Sequence, residues 1–126
     1  MPKKTHDTPS GPKPLGPYSV ATEAAGFVFL SGMIAIDPAT GQSVAGGAAS
    51  QTEQVMRNIG AVLGDVGLGY DDIVKTTIFV TNMQDFPAVN EVYGSYVSGA
   101  MPARSTVEVS ALPGGFVVEI EVIAAR

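Results

Sequence analysis

Hydrophobic and polar positions alternate most cleanly near the end of the chain. Val118, Ile120, Val122 and Ala124 recur at every second position, with Val117, Glu119, Glu121 and Ile123 between them. Alternate side chains of a strand share a face, so this stretch predicts a strand with one apolar face and one that mixes aliphatics with carboxylates. The segment before it, Pro102 to Val109, predicts another strand, with Arg104, Thr106 and Glu108 on one side and Ser105, Val107 and Val109 on the other. Pro113-Gly114-Gly115 is the turn between the two. Ile73 to Val80 is rich in β-branched residues and predicts a third strand. Near the start, Ser19 to Thr22 and the run from Phe27 through Gly32 to Ile36, parted by a turn at Ala25-Gly26, predict a hairpin. Asp37-Pro38-Ala39-Thr40-Gly41 then supplies turn chemistry, Pro38 fixing φ and Gly41 tolerating a positive one.

Two stretches change period. Val55, Ile59, Val62, Leu63 and Val66 lie at helical spacing, preceded by Ser50-Gln51-Thr52-Glu53, which reads as a capping box opening the helix, and followed by Gly67 as its stop. Phe86, Val89, Tyr93, Tyr96 and Val97 form the apolar side of a second helix, with Asp85 as N-cap and Gly99 beyond its end. The order is ββαβαββ, an α+β fold with two helices packed on one face of a single sheet. Residues 15–126 form one domain in this reading. Residues 1–14, with Pro2, Pro9, Pro12 and Pro14 among polar neighbours, are expected to be a flexible or loosely docked tail. Helices on one face leave the other to be covered, and the mixed face carrying Glu119 and Glu121 suits a partner subunit with a small polar site inside the covered surface.

Composition points the same way. A chain of 126 residues that is 45% hydrophobic and only 15% charged is apolar for a small monomer, and the excess reads as subunit interface. The net charge of −5, with no basic cluster beyond Lys3-Lys4, argues against a nucleic-acid partner, because neutralising phosphates requires lysine and arginine. With no cysteine there is no disulfide, thiolate nucleophile or cysteine-based zinc site. No apolar run approaches the roughly 18 to 20 residues of a membrane span, and Thr5 to Pro14 lacks the apolar core of a secretory signal. A cytoplasmic protein without membrane or metal partners is the expectation.

The candidate chemistry rests on a few side chains. The planar fork of Arg104 suits bidentate capture of a substrate carboxylate, or equally an internal ion pair with Glu108, Glu119 or Glu121. Glu119, held partly dry, could order a water or exchange protons, or be a solvated strand glutamate, as Glu121 is expected to be. Tyr18 offers a phenol to a cleft or simply packs. The hydroxyls of Ser31 and Thr106 meet a ligand or nearby backbone groups, Gly32 permits close approach of another group, and Asn90 bonds across a cleft or caps locally. Other signals fall away. Gly67-Leu68-Gly69 lacks the third glycine of a dinucleotide fingerprint. His6 is the only histidine, so neither a Ser-His-Asp triad nor a histidine-rich metal site can be built. Asp71-Asp72 reads as a solvated turn.

Pro102-Ala103-Arg104-Ser105, followed fifteen positions after the arginine by Glu119 in an Ile/Val-rich strand, resembles the C-terminal signature of the RidA/YjgF/UK114 family of reactive-intermediate deaminases. Four further segments occur in that family's order and spacing: Gly16-Pro17-Tyr18-Ser19, Leu30-Ser31-Gly32 with Ile36 to Gly41, Lys75 to Val80, and Phe86 to Tyr93. The resemblance runs from about Gly16 to Ala124. It implies a chorismate-mutase-like homotrimer with clefts between neighbouring subunits, in which Arg104 holds the substrate carboxylate and Glu119 positions water. Tyr18, Ser31, Gly32, Asn90 and Thr106 would complete the site. Thr106 departs from the pattern, since many relatives carry cysteine there. The implied reaction is cofactor-free hydrolysis of 2-imino acids and their enamine precursors to 2-oxo acids and ammonia. Other readings are a non-catalytic binder of 2-oxo acids, a deaminase of a ring-cleavage enamine such as 2-aminomuconate, a holdase-like interaction protein and, weakest given the acidic charge, a nuclease.

Overall fold

The computed structural model describes residues 2–126. Six strands and two helices follow one another as β1 (Lys4–His6), β2 (Ala21–Ala24), β3 (Phe27–Met33), α1 (Ala48–Asp65), β4 (Ile73–Val80), α2 (Phe86–Tyr96), β5 (Ala103–Glu108) and β6 (Val118–Ala125). The strands form one mixed sheet in the order β1-β2-β3-β6-β4-β5. Only β4 and β5 run parallel, and α2 is the crossover between them. Ala25 and Gly26 both have positive φ, the geometry of the tight primed hairpin turn joining β2 to β3.

Both helices lie on one face, and alternation decides which side chains they cover. Val118, Ile120, Val122 and Ala124 of β6 are buried with Val28 and Leu30 of β3 and Ile78 and Val80 of β4, against Val55, Met56, Ile59, Val62 and Leu63 of α1 and Val89 of α2. Each such fully buried aliphatic side chain contributes roughly 1.5 to 3 kcal/mol of transfer free energy. On the opposite face the described residues cover only the end around Glu119, where Leu15 to Tyr18 lie over it, and leave the rest open. That face presents Phe27 and Phe29, each more than two-fifths exposed, beside Glu121 and the partly exposed Phe79, Glu119 and Ile123.

Two expectations from the sequence are corrected. Residues 4–6, expected within the loosely docked tail, pair with β2 as the outermost strand, adding a strand before the expected ββαβαββ order. The reason lies at the far end of the chain: Glu23 of β2 accepts from His6 at 2.8 Å and from the Arg126 guanidinium at 2.9 and 3.0 Å, a clamp made of residues too distant in sequence to read as a pattern. Further on, Ser10 is tied to Asp65 through both its backbone N–H and its hydroxyl. The second correction is the start of α1. The helix begins at Ala48 with Gly47 as N-cap, so the supposed capping box lies inside it. Its members serve the tertiary structure instead. The Thr52 hydroxyl donates back to the Ala48 carbonyl, Gln51 accepts from the Val117 N–H, and Glu53 accepts from the Tyr96 hydroxyl and pairs with Arg57. Gly67, with φ of 80°, follows the C-cap of α1, and Asp85 is the N-cap residue of α2, although its side chain caps nothing.

Candidate functional site

Glu119 stands on the uncovered face of the sheet because its neighbours Val118 and Ile120 point into the core. Its carboxylate lies against the backbone of Gly32 on β3 and has no hydrogen-bond partner among the described residues. Burial, and secondarily the charge of Glu121 two residues on, push its pKa above the ordinary carboxylate value. The carboxylate lines a cavity of about 480 Å³ whose walls are mostly apolar, with Leu15, Pro17, Tyr18, Met33 and Ile34 among them. Ser31 and Gly32 line it as well. The Ser31 hydroxyl donates to the Ser19 carbonyl at 2.7 Å, so its proton is spent on the segment leading to the cavity. The phenol oxygen of Tyr18 accepts from the Leu15 N–H at 3.2 Å, which leaves its own O–H free to donate.

Arg104 lies elsewhere. It pairs across the parallel ladder with Thr76, whose side chain is buried beneath α2, so Arg104 is on the helix-bearing face, at the open edge strand of the sheet. Three residues of α2 at positions i, i+4 and i+7 meet it. Phe86 and Tyr93 present their rings to the guanidinium with centroids 5.4 and 5.3 Å from Cζ, and between them Asn90 Oδ1 accepts from one terminal N–H at 2.6 Å. No carboxylate pairs with Arg104 among the described residues. Glu108 is engaged by the Met83 N–H at 2.7 Å, and Glu119 and Glu121 are on the other face. The ion-pair alternative left open by the sequence is therefore not taken among the described residues. A second cavity of about 480 Å³ opens beside the arginine, lined by Asn90, Tyr93, Gly94, Val97, Met101 and Pro102.

Thr106 follows Arg104 on the same face of β5, opposite Ile78. Its hydroxyl oxygen is buried without a hydrogen-bond partner, the one such side-chain atom among the described residues. A buried hydroxyl without a partner is costly unless something completes it.

The seven candidate residues thus fall into two groups. Tyr18, Ser31, Gly32 and Glu119 share one cavity, Asn90 and Arg104 share the other with Thr106 beyond, and the sheet separates the two. Sequence reasoning missed the aromatic cradle of Arg104, taking Phe86 and Tyr93 for core residues only. Their spacing with Asn90 was the available signal. Neither cavity is a metal centre in form: among the described residues no group of three or more histidine, aspartate or glutamate side chains lies close enough to hold an ion. No helix among the described residues is long and apolar enough to cross a membrane.

The sequence profile of the family described as Endoribonuclease L-PSP matches residues 8–126. Among curated relatives, Protein DfrA of Myxococcus xanthus is 50% identical over 98% of this chain and 96% of its own length. The 2-iminobutanoate/2-iminopropanoate deaminase of Mus musculus is 40% identical over 98% of this chain and 92% of its own. A solved structure of the conserved Rid family protein YyfA from Yersinia pestis superposes with a TM-score of 0.95 at 49% identity, covering 99% of this chain and all of that one.

Proposed function

This chain belongs to the Endoribonuclease L-PSP family, the family of YjgF and RidA, and from that membership we propose that it hydrolyses 2-imino acids, and the enamines that tautomerise to them, to 2-oxo acids and ammonia. The observation that carries the reading is the state of Arg104. An arginine held by two rings and one amide oxygen, with no acidic partner among the described residues, is a pre-set receptor for a carboxylate. That relatives of about 40% identity are named imine deaminases supports the same substrate class.

The two groups of residues meet if the uncovered sheet face of one subunit packs against the β5 edge of the next. A closed trimer with the site at each such junction accounts for the exposed Phe27 and Phe29 as well as for the division of the site. Arg104 and Asn90 of one subunit then fix the substrate carboxylate. Glu119 of its neighbour, made a stronger base by the burial that raises its pKa, takes in its ionised form a proton from a water that adds to the C2 carbon of the C=N bond. That proton passes to nitrogen to give the tetrahedral intermediate; Glu119 then takes the hydroxyl proton and hands it to nitrogen as well, the C–N bond breaks, ammonia departs, and the hydroxyl oxygen becomes the 2-oxo carbonyl. The free O–H of Tyr18 and the unpartnered hydroxyl of Thr106 are available to the intermediate's polar atoms. The substrate is already electrophilic, so positioning and proton transfer supply what acceleration is needed.

The test is release of ammonia and 2-oxo acid from freshly generated 2-iminopropanoate, compared with spontaneous hydrolysis. No acceleration, together with Arg104-dependent binding of 2-oxo acids, favours the second reading, a non-catalytic organic-acid binder. One feature supports that alternative: the Arg104 cavity is lined within a single chain and needs nothing from Glu119. The nuclease activity in the family's description finds no support here, with a net charge of −5 and the sole histidine bonded to Glu23 at the far edge of the sheet.

A further inference from the structure

Among the side chains buried between the sheet and the helices, Thr76 is out of place. It sits on β4 at the helix-facing position between Ile73 and Ile78, almost fully buried, where its strand neighbours on that face are aliphatic. Its hydroxyl makes one side-chain hydrogen bond, 2.9 Å to the phenol of Tyr93, which is itself buried. A valine and a phenylalanine of the same shapes would fill this space without a polar group to satisfy, and such paired replacements are close to neutral in stability. The pair is therefore not needed to hold the layers together. Its location suggests what it does: Thr76 is the direct cross-strand neighbour of Arg104, and the Tyr93 ring that it fixes is one of the two surfaces against which the Arg104 guanidinium rests.

We propose that Thr76 and Tyr93 form a positioning pair that sets the plane of the Arg104 fork for bidentate capture of the substrate carboxylate. The inference rests on the reading of Arg104 given above. Without the hydroxyl pair, packing alone holds the Tyr93 ring under the guanidinium and nothing fixes its tilt. The Asn90 bond then fixes one N–H of the fork but not its orientation, since a single hydrogen bond permits rotation about its own axis. A carboxylate needs both parallel N–H donors to be held in one pose, so a loosened fork weakens binding even though its charge is unchanged.

The experiment compares Thr76→Val, Tyr93→Phe and the double variant with the wild type and with Thr76→Ser, which keeps the hydroxyl. Three quantities are read: Tm, the affinity for 2-oxobutanoate, and kcat and KM for 2-iminobutanoate made in situ. The expected result for the double variant is a Tm near that of the wild type, with KM and the 2-oxobutanoate Kd raised about tenfold and kcat changed less than about threefold, as for loss of uniform binding. Thr76→Ser should stay within about twofold of the wild type in KM. A purely packing role predicts wild-type KM and Kd in a folded double variant, and that result overturns the inference. Arg104→Ala serves as the separate arm. If Arg104→Ala collapses turnover while the double variant binds like the wild type, the positioning pair is refuted and the carboxylate reading survives. Wild-type rates in Arg104→Ala refute the carboxylate reading itself, and the positioning inference with it.

Discussion

A Cβ atom placed on Gly32 would lie 2.4 Å from Oε2 of Glu119 and 2.7 Å from its carboxyl carbon. The carboxylate thus occupies the space that any side chain at position 32 would fill, and the adjacent strands β3 and β6 hold the two residues face to face. The φ of Gly32 is not in the left-handed region, so the glycine is required by this contact and not by its backbone conformation.

Gly32→Ala should therefore act on Glu119 and not on the fold. The methyl displaces the carboxylate from its seat, and turnover of 2-iminobutanoate is expected to fall about 10- to 100-fold, the scale of a misplaced acid–base group. Affinity for 2-oxobutanoate, which depends on Arg104, should change little. Unchanged kcat in a well-folded Gly32→Ala protein would mean that the position of Glu119 is irrelevant to the reaction.

The pH profile offers an independent check on the same carboxylate. Burial raises the Glu119 pKa and the neighbouring Glu121 charge raises it further. If the ionised form accepts a proton from water, activity rises with pH through that raised value, and the acid limb of kcat/KM lies above the ordinary carboxylate range. Glu121→Gln removes the like charge, which lowers the Glu119 pKa and should move the acid limb to lower pH without abolishing activity. An acid limb that stays in place, or moves upward, contradicts the assignment.

Much of this arrangement was legible in the sequence, and what was not has a common cause. The alternation in β6 shows that Glu119 stands opposite the core, and the apolar period shows where both helices lie, because those patterns are local. The partners of each polar side chain are not local. Gln51 and Glu53 look like members of a capping box until the structure brings Val117 and Tyr96 to them across the fold. Likewise Arg104 and Glu119 are near in sequence and belong to one expected site, yet strand order and alternation put them on opposite faces of the sheet. Sequence patterns of this kind specify which face a residue occupies within its strand, but not which faces of different strands coincide.

Arg104→Ala should remove nearly all imine hydrolysis while leaving the fold intact. The side chain is exposed and has no ion pair among the described residues, so stability depends on it little, whereas loss of a charge-assisted carboxylate anchor costs about 2 to 5 kcal/mol of binding. Arg104→Lys should recover only a small part, since an ammonium cannot form two parallel bonds in one plane. Steady-state rates with circular dichroism of both variants give the answer, and efficient turnover by the lysine variant would show that charge alone suffices.

At the other edge of the sheet, the Arg126 guanidinium, and after it His6, lower the pKa of Glu23 from 4.5 to about 2. A depressed carboxylate stabilises the folded form above its unfolded value, and that contribution disappears as pH falls from about 4.5 through about 2. The protection factors of the Lys4–His6 amides, hydrogen-exchange rates taken relative to the intrinsic rate at each pH, should fall over this window in the wild type. In Glu23→Gln they should be low already at neutral pH and respond little to acid. High, pH-insensitive protection in both proteins would show that β1 is held by its ladder bonds alone.

If each site takes Arg104 from one subunit and Glu119 from the next, an Arg104→Ala subunit still offers an intact Glu119 and a Glu119→Gln subunit an intact Arg104. Each homotrimer is then defective at every site. Unfolding the two together in equal amounts and refolding gives mixed rings, in which a junction pairing the intact Arg104 of one parent with the intact Glu119 of the other arises with a frequency of about one quarter. Recovered activity near one quarter of wild type, from two parents that are each nearly inactive, is the expected outcome. Had both residues served the site from the same chain, no mixed trimer would contain a complete set, and the mixture would remain as inactive as its parents. Light scattering on the same samples supplies the control: a monomeric mass at micromolar concentration, combined with wild-type turnover, would remove the junction altogether and return Arg104 and Glu119 to separate roles on the two faces of one sheet.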